Sequence, residues 1–205
     1  MIQLFDTPLI ILLCIPSFLI GLSRGGLGGG FGLAAAIFTA QLMEPISAAA
    51  FLLPILVASD PLSIFIYRNY IYWKSLIVLI PGSIVGIIIG SITFQYTSEN
   101  QIRILVGIIS ILFVLISIYQ KNSSLLNPTK SKGVFWSGAA GYTSFLIHAG
   151  NPPINFYVLP LKLDKLTYLG TMTMTFFIIN FVKIFPYYYF DLLAPSNLKV
   201  SLLLF

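Results

Sequence analysis

Apolar runs long enough to cross a bilayer recur along this chain, and that recurrence constrains its fold more than any other feature. A crossing helix needs about 20 mostly apolar residues, and segments 46–67, 73–94 and 102–119 each read as such a span. Only 8% of the 205 residues are charged, 58% are hydrophobic, and the mean hydropathy is +0.96. Soluble domains carry about 25% charged residues, so this chain has too few to cover its surface in water. A soluble enzyme, a disulfide-built secreted domain and a disordered chain are excluded. The expected class is an all-α polytopic membrane protein.

The net charge of +5 is spread between the apolar runs, as the positive-inside rule distributes it. No basic stripe with interleaved aromatics is present, so no nucleic-acid partner is expected. The connection 68–74 holds Arg68 and Lys74, and the longest polar linker, 120–132, holds Lys121, Lys130 and Lys132. Two spans separate these connections, which places both on one side, the cytoplasmic one. The single cysteine, Cys14, reads as a small buried hydrophobe and cannot form a disulfide within the chain. The start of the chain has Asp6 and no basic residue, unlike a signal peptide. Tyr70, Tyr72, Trp73 and the aromatic run 187–190 sit at segment ends, where an aromatic belt belongs.

Two regions are apolar but broken. Segment 8–22 runs into SRGGLGGGFG and then 31–43; segment 133–147 runs into HAGNPP and then 154–161. Each piece is too short to cross alone, so each region is either an interrupted span or a re-entrant hairpin buried in protein. A single offset of 120 residues relates them. It pairs Gly21 with Gly141, Ser23 with Thr143, Gly30 with Gly150, Glu44 with Asp164, Ser47 with Thr167, Asp60 with Asn180 and Tyr67 with Tyr187. The chain therefore divides into a first transmembrane repeat, 1–120, and a second, 121–205, joined by the cytoplasmic linker 120–132. With hairpins in place of interrupted spans, Lys162 and Lys165 stay inside and each half has about three true spans. The repeats are then inverted; interrupted spans would make them parallel. The second half stops within the apolar run 197–205, so its C-terminus reads as truncated and incomplete beside the first.

Arg24, Asp60, His148 and Lys183 are the ionisable residues inside apolar segments, where charges are costly and face a partner or a cavity. The glycines at Gly28, Gly29 and Gly30 let the backbone turn and approach a ligand. A helix beginning near Phe31 would aim N–H groups at that break. Gly150 and Asn151, followed by two prolines, set up the same arrangement in the second half. Close packing of Gly21, Gly25 and Gly29 is the competing reading, and at Gly82, Gly86 and Gly90 packing is the expected role. Asp60 either pairs with Arg24 or carries a proton, and Asn180 stands at its repeat position. Lys183 either faces the site or snorkels to the outer interface, and His148 reads first as a hydrogen-bonded core histidine. The spacing Gly30, Gly32, Ala35 lacks the βαβ context of a dinucleotide site. One His and one Cys do not make a transition-metal site. No cofactor is expected.

The chain resembles the sulfite exporter TauE/SafE family of membrane permeases. The residues that carry the resemblance are GLSRGGLGGGFG (21–32), AAAFLLPILVASD (48–60), YRNYIYWKSLIVLIPGSIVGIIIG (67–90), GYTSFLIHAGNPPINFYVLPLKL (141–163) and GTMTMTFFIINFVKIFPYY (170–188). Where the family commonly has Lys before the glycine block, Arg24 keeps the charge here. The resemblance implies a multi-pass protein of a prokaryotic inner or plasma membrane that moves a small sulfur-containing or organic anion. The expected substrate-binding set is Arg24, Gly28, Gly29, Gly30, Asp60, His148, Gly150, Asn151, Asn180 and Lys183. The expected mechanism is alternating access around a midplane site, with a passive anion channel or an intramembrane assembly factor as the alternatives. The expected partners are the anion and the lipid bilayer; a coupling ion, H+ or Na+, and a homo-oligomer stay open.

Overall fold

Helix breaks at two glycine-bearing sequences organise the chain in the computed structural model, which describes residues 7–27, 29–120, 129–193 and 201. The described residues form eight α-helices and no strand. They are α1 (Thr7–Leu22), α2 (Gly29–Leu42), α3 (Pro45–Tyr67), α4 (Trp73–Thr93), α5 (Glu99–Gln120), α6 (Lys130–Ile147), α7 (Asn151–Val158) and α8 (Lys165–Tyr189). The stretches Pro45–Tyr70, Trp73–Tyr96 and Lys165–Tyr189 are each long and apolar enough to cross a membrane. The expected span 102–119 lies inside α5. Most of the linker 120–132, and the run 197–205 apart from Ser201, lie outside the described residues.

Both broken regions fold the chain back on itself, because α1 packs along α2 and α6 along α7. The first bend is a π-helical turn, Ser23–Leu27, in which Gly26 leaves helical geometry with φ of +99°. That conformation suits only glycine at no cost, and a Cβ at Gly26 would also stand 2.5 Å from the Tyr67 hydroxyl. The second bend is built differently. Helix α6 ends on His148 in the left-handed conformation, φ +57°, with the His148 N–H on the Ser144 carbonyl and the Ala149 N–H on the Thr143 carbonyl. Helix α2 starts two residues earlier than its apolar run, at Gly29.

The tightest seam joins α4 to α6. A Cβ on Gly86 would strike the Gly138 carbonyl and the Tyr142 N–H, and one on Gly90 would stand 3.1 Å from the Phe145 side chain. Gly82 lies as close to Val134 and Ser137, and Gly141 of α6 to the Ser83 backbone. Small residues four apart thus bring two backbones together, the usual way helices associate where lipid removes the hydrophobic drive. Helix α8 crosses the end of α3 just as closely. The Tyr72 N–H donates to Thr171 Oγ1 at 2.9 Å, and Gly170 lies against the carbonyls of Tyr67 and Tyr70.

Helices α3 and α8 begin 120 residues apart, after Glu44 and Asp164. The Asp164 carboxylate accepts the N–H groups of Leu166 and Thr167, each at 3.1 Å. The Thr167 side chain first, then its N–H and that of Leu166, hold the carboxyl below the usual carboxylate range. Arg103 of α5 donates to the Ala40 carbonyl at 2.7 Å, tying α5 to the C-terminal end of α2. Large apolar side chains such as Phe18, Phe65, Ile77, Ile92, Ile111 and Phe181 face outward, as a surface solvated by lipid requires. Cys14 lies on this outer face of α1, not in the core expected from its sequence position. An apolar face turned to lipid satisfies the same preference.

Candidate functional site

Where the two bends approach α3 and α8, the charged residues of the apolar segments converge. Asp60 of α3 is fully buried, and its Oδ1 lies 2.6 Å from an Nη of Arg24 on the first bend. The N–H is not aligned on that oxygen, so the contact is an ion pair without a well-directed hydrogen bond. Its Oδ2 accepts a 2.9 Å hydrogen bond from Asn180 Nδ2 of α8. Asp60 precedes Pro61, which lacks the N–H that would bond the Val57 carbonyl, so the helical ladder is interrupted next to the site.

A second polar group lies on the second bend. Lys183 of α8 is fully buried, and its Nζ reaches the Ser144 carbonyl (3.2 Å), Ser144 Oγ (3.0 Å) and His148 Nδ1 (2.7 Å). Lys183 therefore points inward and does not snorkel. His148 Nε2 lies 2.8 Å from the Ala49 carbonyl. A carbonyl only accepts, so Nε2 carries the proton and Nδ1 is left to accept from Lys183. A left-handed backbone costs a non-glycine residue on the order of 1 kcal/mol, and these two ring bonds hold His148 there. A nearby network runs from the Tyr168 hydroxyl to Asn155 Oδ1 (2.9 Å) and from Asn155 Nδ2 to Asn151 Oδ1 (2.7 Å).

Between these groups lies a cavity of about 80 Å³. A single water needs roughly 10–15 Å³ on the same measure, so the space holds a few waters or one small anion. Arg24, Ser144, His148, Asn151, Thr173 and Asn180 supply polar wall, and Leu52, Met172 and Phe176 are among the apolar lining. Asp60 and Lys183 stand behind this wall, the first holding Arg24 and Asn180, the second holding Ser144 and His148. Counted with their ordinary charges, the two cations exceed the one carboxylate by one.

The glycines named from the sequence divide. Gly28 lies outside the described residues. Gly29 opens α2, and Gly30 is exposed with nothing within 4 Å of a Cβ, as are Gly21 and Gly25 in that last respect. Packing of Gly21 and Gly25 therefore does not explain the block. Gly150 is a close-approach glycine: a Cβ there would lie 2.9 Å from the Ala140 carbonyl and from Ser144. Gly30 and Gly150 are not part of the cavity wall.

Ser23, Ser144, Thr173 and Tyr168 are the polar wall residues that lie outside the expected set. Ser144 had a usable signal, since the 120-residue offset sets it opposite Arg24. Thr173 and Tyr168 carry none, because hydroxyls are common along α8. Among the described residues no cluster of His, Cys, Asp and Glu could hold a metal ion.

The fold and the cavity together define an α-helical membrane protein with a buried, charged internal site. Residues 13–205 match the family described as Sulfite exporter TauE/SafE, and the chain belongs to that family, a family of membrane transporters for sulfur compounds. Comparison with curated proteins and with solved structures finds no match.

Proposed function

We propose that the chain is a secondary transporter, an exporter or permease and not an enzyme, for a small sulfur-containing or organic anion such as sulfite or a sulfonate. The observation that carries this reading is the cavity between the two bends, with Arg24 in its wall, Lys183 behind it and Asp60 as the one carboxylate. An excess of one positive charge in an apolar surround favours a monoanion as its neutraliser. Substrate enters as the group that completes this balance, and Arg24 is the residue that meets it.

The cavity lies between parts of two inverted repeats, and one repeat rocks against the other to expose it alternately to each side. Several contacts support the repeat reading. Asp60 and Asn180 occupy equivalent positions and bond to each other. The Tyr67 hydroxyl donates to the Gly25 carbonyl (3.5 Å) and the Tyr187 hydroxyl to the Phe145 carbonyl (2.5 Å), a bond repeated at the same offset of 120 at both ends. The membrane is the prokaryotic plasma membrane in this reading. A ligand screen tests the anion assignment: sulfite, thiosulfate, sulfoacetate and small carboxylates are added to the purified protein and its thermal transition recorded. Sulfur oxyanions should raise the transition in wild type and not in Arg24→Gln. A transition that no anion moves overturns the assignment.

A further inference from the structure

Asn180 holds a position in the cavity wall that fixes which way its amide faces. The Asp60 carboxylate accepts hydrogen bonds and donates none, so the Asn180 group 2.9 Å from Oδ2 must be the NH2. The Arg24 guanidinium, 2.6 Å from the other carboxylate oxygen, favours the ionised, accepting form of Asp60. The carbonyl oxygen, Oδ1, is therefore directed away from Asp60. It accepts no hydrogen bond from any described residue, and Asn180 is 2% exposed while lining the cavity. Only an occupant of the cavity, water or ligand, can meet that oxygen, and a ligand that displaces the water without donating leaves it unmet at a cost of about 1–3 kcal/mol.

Other polar groups of the wall offer the opposite. Arg24 can only donate. Ser144 Oγ accepts from Lys183, which leaves its own hydrogen to give. His148 has both ring nitrogens engaged. Ser23, Thr173 and Tyr168 also line the cavity and their hydroxyls can accept, and Asn151 Oδ1 already accepts from Asn155. Asn180 Oδ1 differs in being an acceptor with no hydrogen of its own and no donor among the described residues.

We propose that Asn180 is a specificity-determining residue, and that the site selects an oxyanion carrying one O–H over an equally charged oxyanion without one. This rests on the anion reading above and narrows it. The O–H can come from a protonated oxyanion, such as hydrogen sulfite, or from a hydroxyl on the organic part of a sulfonate. Asn180 Oδ1 accepts from that O–H while Arg24 and Ser144 donate to the remaining oxygens.

Hydroxymethanesulfonate and ethanesulfonate have the same charge and nearly the same size, and neither changes protonation near neutral pH. Their affinities for the full chain in detergent, measured at one pH by calorimetry, should differ about tenfold in favour of the hydroxylated anion. In Asn180→Leu the ratio should fall to near one. Sulfite is measured at pH values on either side of its own proton loss, with ethanesulfonate in parallel to account for the protein's titration. A loss of sulfite affinity on raising pH that is steeper in wild type than in Asn180→Leu identifies the protonated oxyanion as a source of the O–H, since the change of charge alone acts on both proteins. Equal sulfite profiles in the two proteins beside a retained sulfonate preference identify the organic hydroxyl. Equal wild-type affinities for the two sulfonates, within twofold, overturn the proposal while leaving the anion reading intact. Failure of all three anions to bind overturns both. The wild-type comparison decides the matter even if Asn180→Leu does not fold.

Discussion

Arg24→Gln perturbs stability and substrate binding through different partners, and the two effects can be separated. Asp60 is 0% exposed and the Arg24 side chain 14% exposed. Removing one member of a buried pair costs about 3–5 kcal/mol, because the survivor is left as an uncompensated charge. Asp60 keeps its bond from Asn180, so the lower end applies, about 3 kcal/mol. Asp60→Asn leaves the more exposed partner, which can draw on cavity water, and costs about 1.5 kcal/mol. The double variant replaces the pair by two neutral amides, so its cost should also be about 1.5 kcal/mol, a coupling of about 3 kcal/mol against the additive sum. Denaturation in mixed micelles measures the cycle. Sulfite affinity, measured on the same four proteins, should follow a different order. Arg24→Gln and the double variant should both lose binding, Arg24→Lys should retain part, because a point charge remains without the planar fork, and Asp60→Asn should bind more tightly. Stabilities additive within about 0.5 kcal/mol would refute the ion pair as a structural unit. Full affinity in Arg24→Gln would refute the claim that this arginine meets the substrate.

Gly86→Ala should destabilise by about 2 kcal/mol or more, since its Cβ meets backbone that cannot move aside, whereas Gly21→Ala, with open space around it, should be neutral or mildly stabilising in the same assay. Inverted repeats place both ends of the second broken region in the cytoplasm. Cysteines at Ser131 and Leu163, in a Cys14→Ser background, should then both be shielded from an impermeant thiol reagent added outside; labelling at Leu163 alone would make the repeats parallel. Asp164 is held below its ordinary value in the folded chain by hydrogen bonds from Thr167 and Leu166. Its contribution is therefore complete above the unfolded carboxylate value and is lost as pH falls through the lower folded one. Asp164→Asn should flatten that part of the acid stability profile; an unchanged profile would show that the cap is not coupled to folding.

Apolar length and glycine spacing made most of the helices legible. The runs 46–67 and 73–94 fall within a residue of α3 and α4, because span length is set by bilayer thickness, which does not depend on the rest of the fold. The Gly82, Gly86 and Gly90 seam was readable for a related reason, since four-residue spacing places all three on one face. The site was legible only in part. Arg24, Asp60, His148 and Lys183 stand out because charge is scarce in these segments. Their pairing was not readable: Lys183 satisfies the sequence pattern of a snorkelling residue equally well, and only the position of Ser144 and His148 across from α8 turns it inward. Gly30 and Gly150 show the opposite failure. Both stand at helix starts after a break, yet neither is in the cavity wall, because a break reveals where the backbone turns and not which side of the turn faces the space.

Counterflow of labelled sulfite in proteoliposomes tests the central claim, a carrier that alternates access around the Arg24 cavity. Unlabelled sulfite loaded inside should accelerate entry of label from outside, and Arg24→Gln, reconstituted at equal density, should abolish the exchange. Ionic conductance with no stimulation by internal sulfite would contradict the account and make the protein an anion channel.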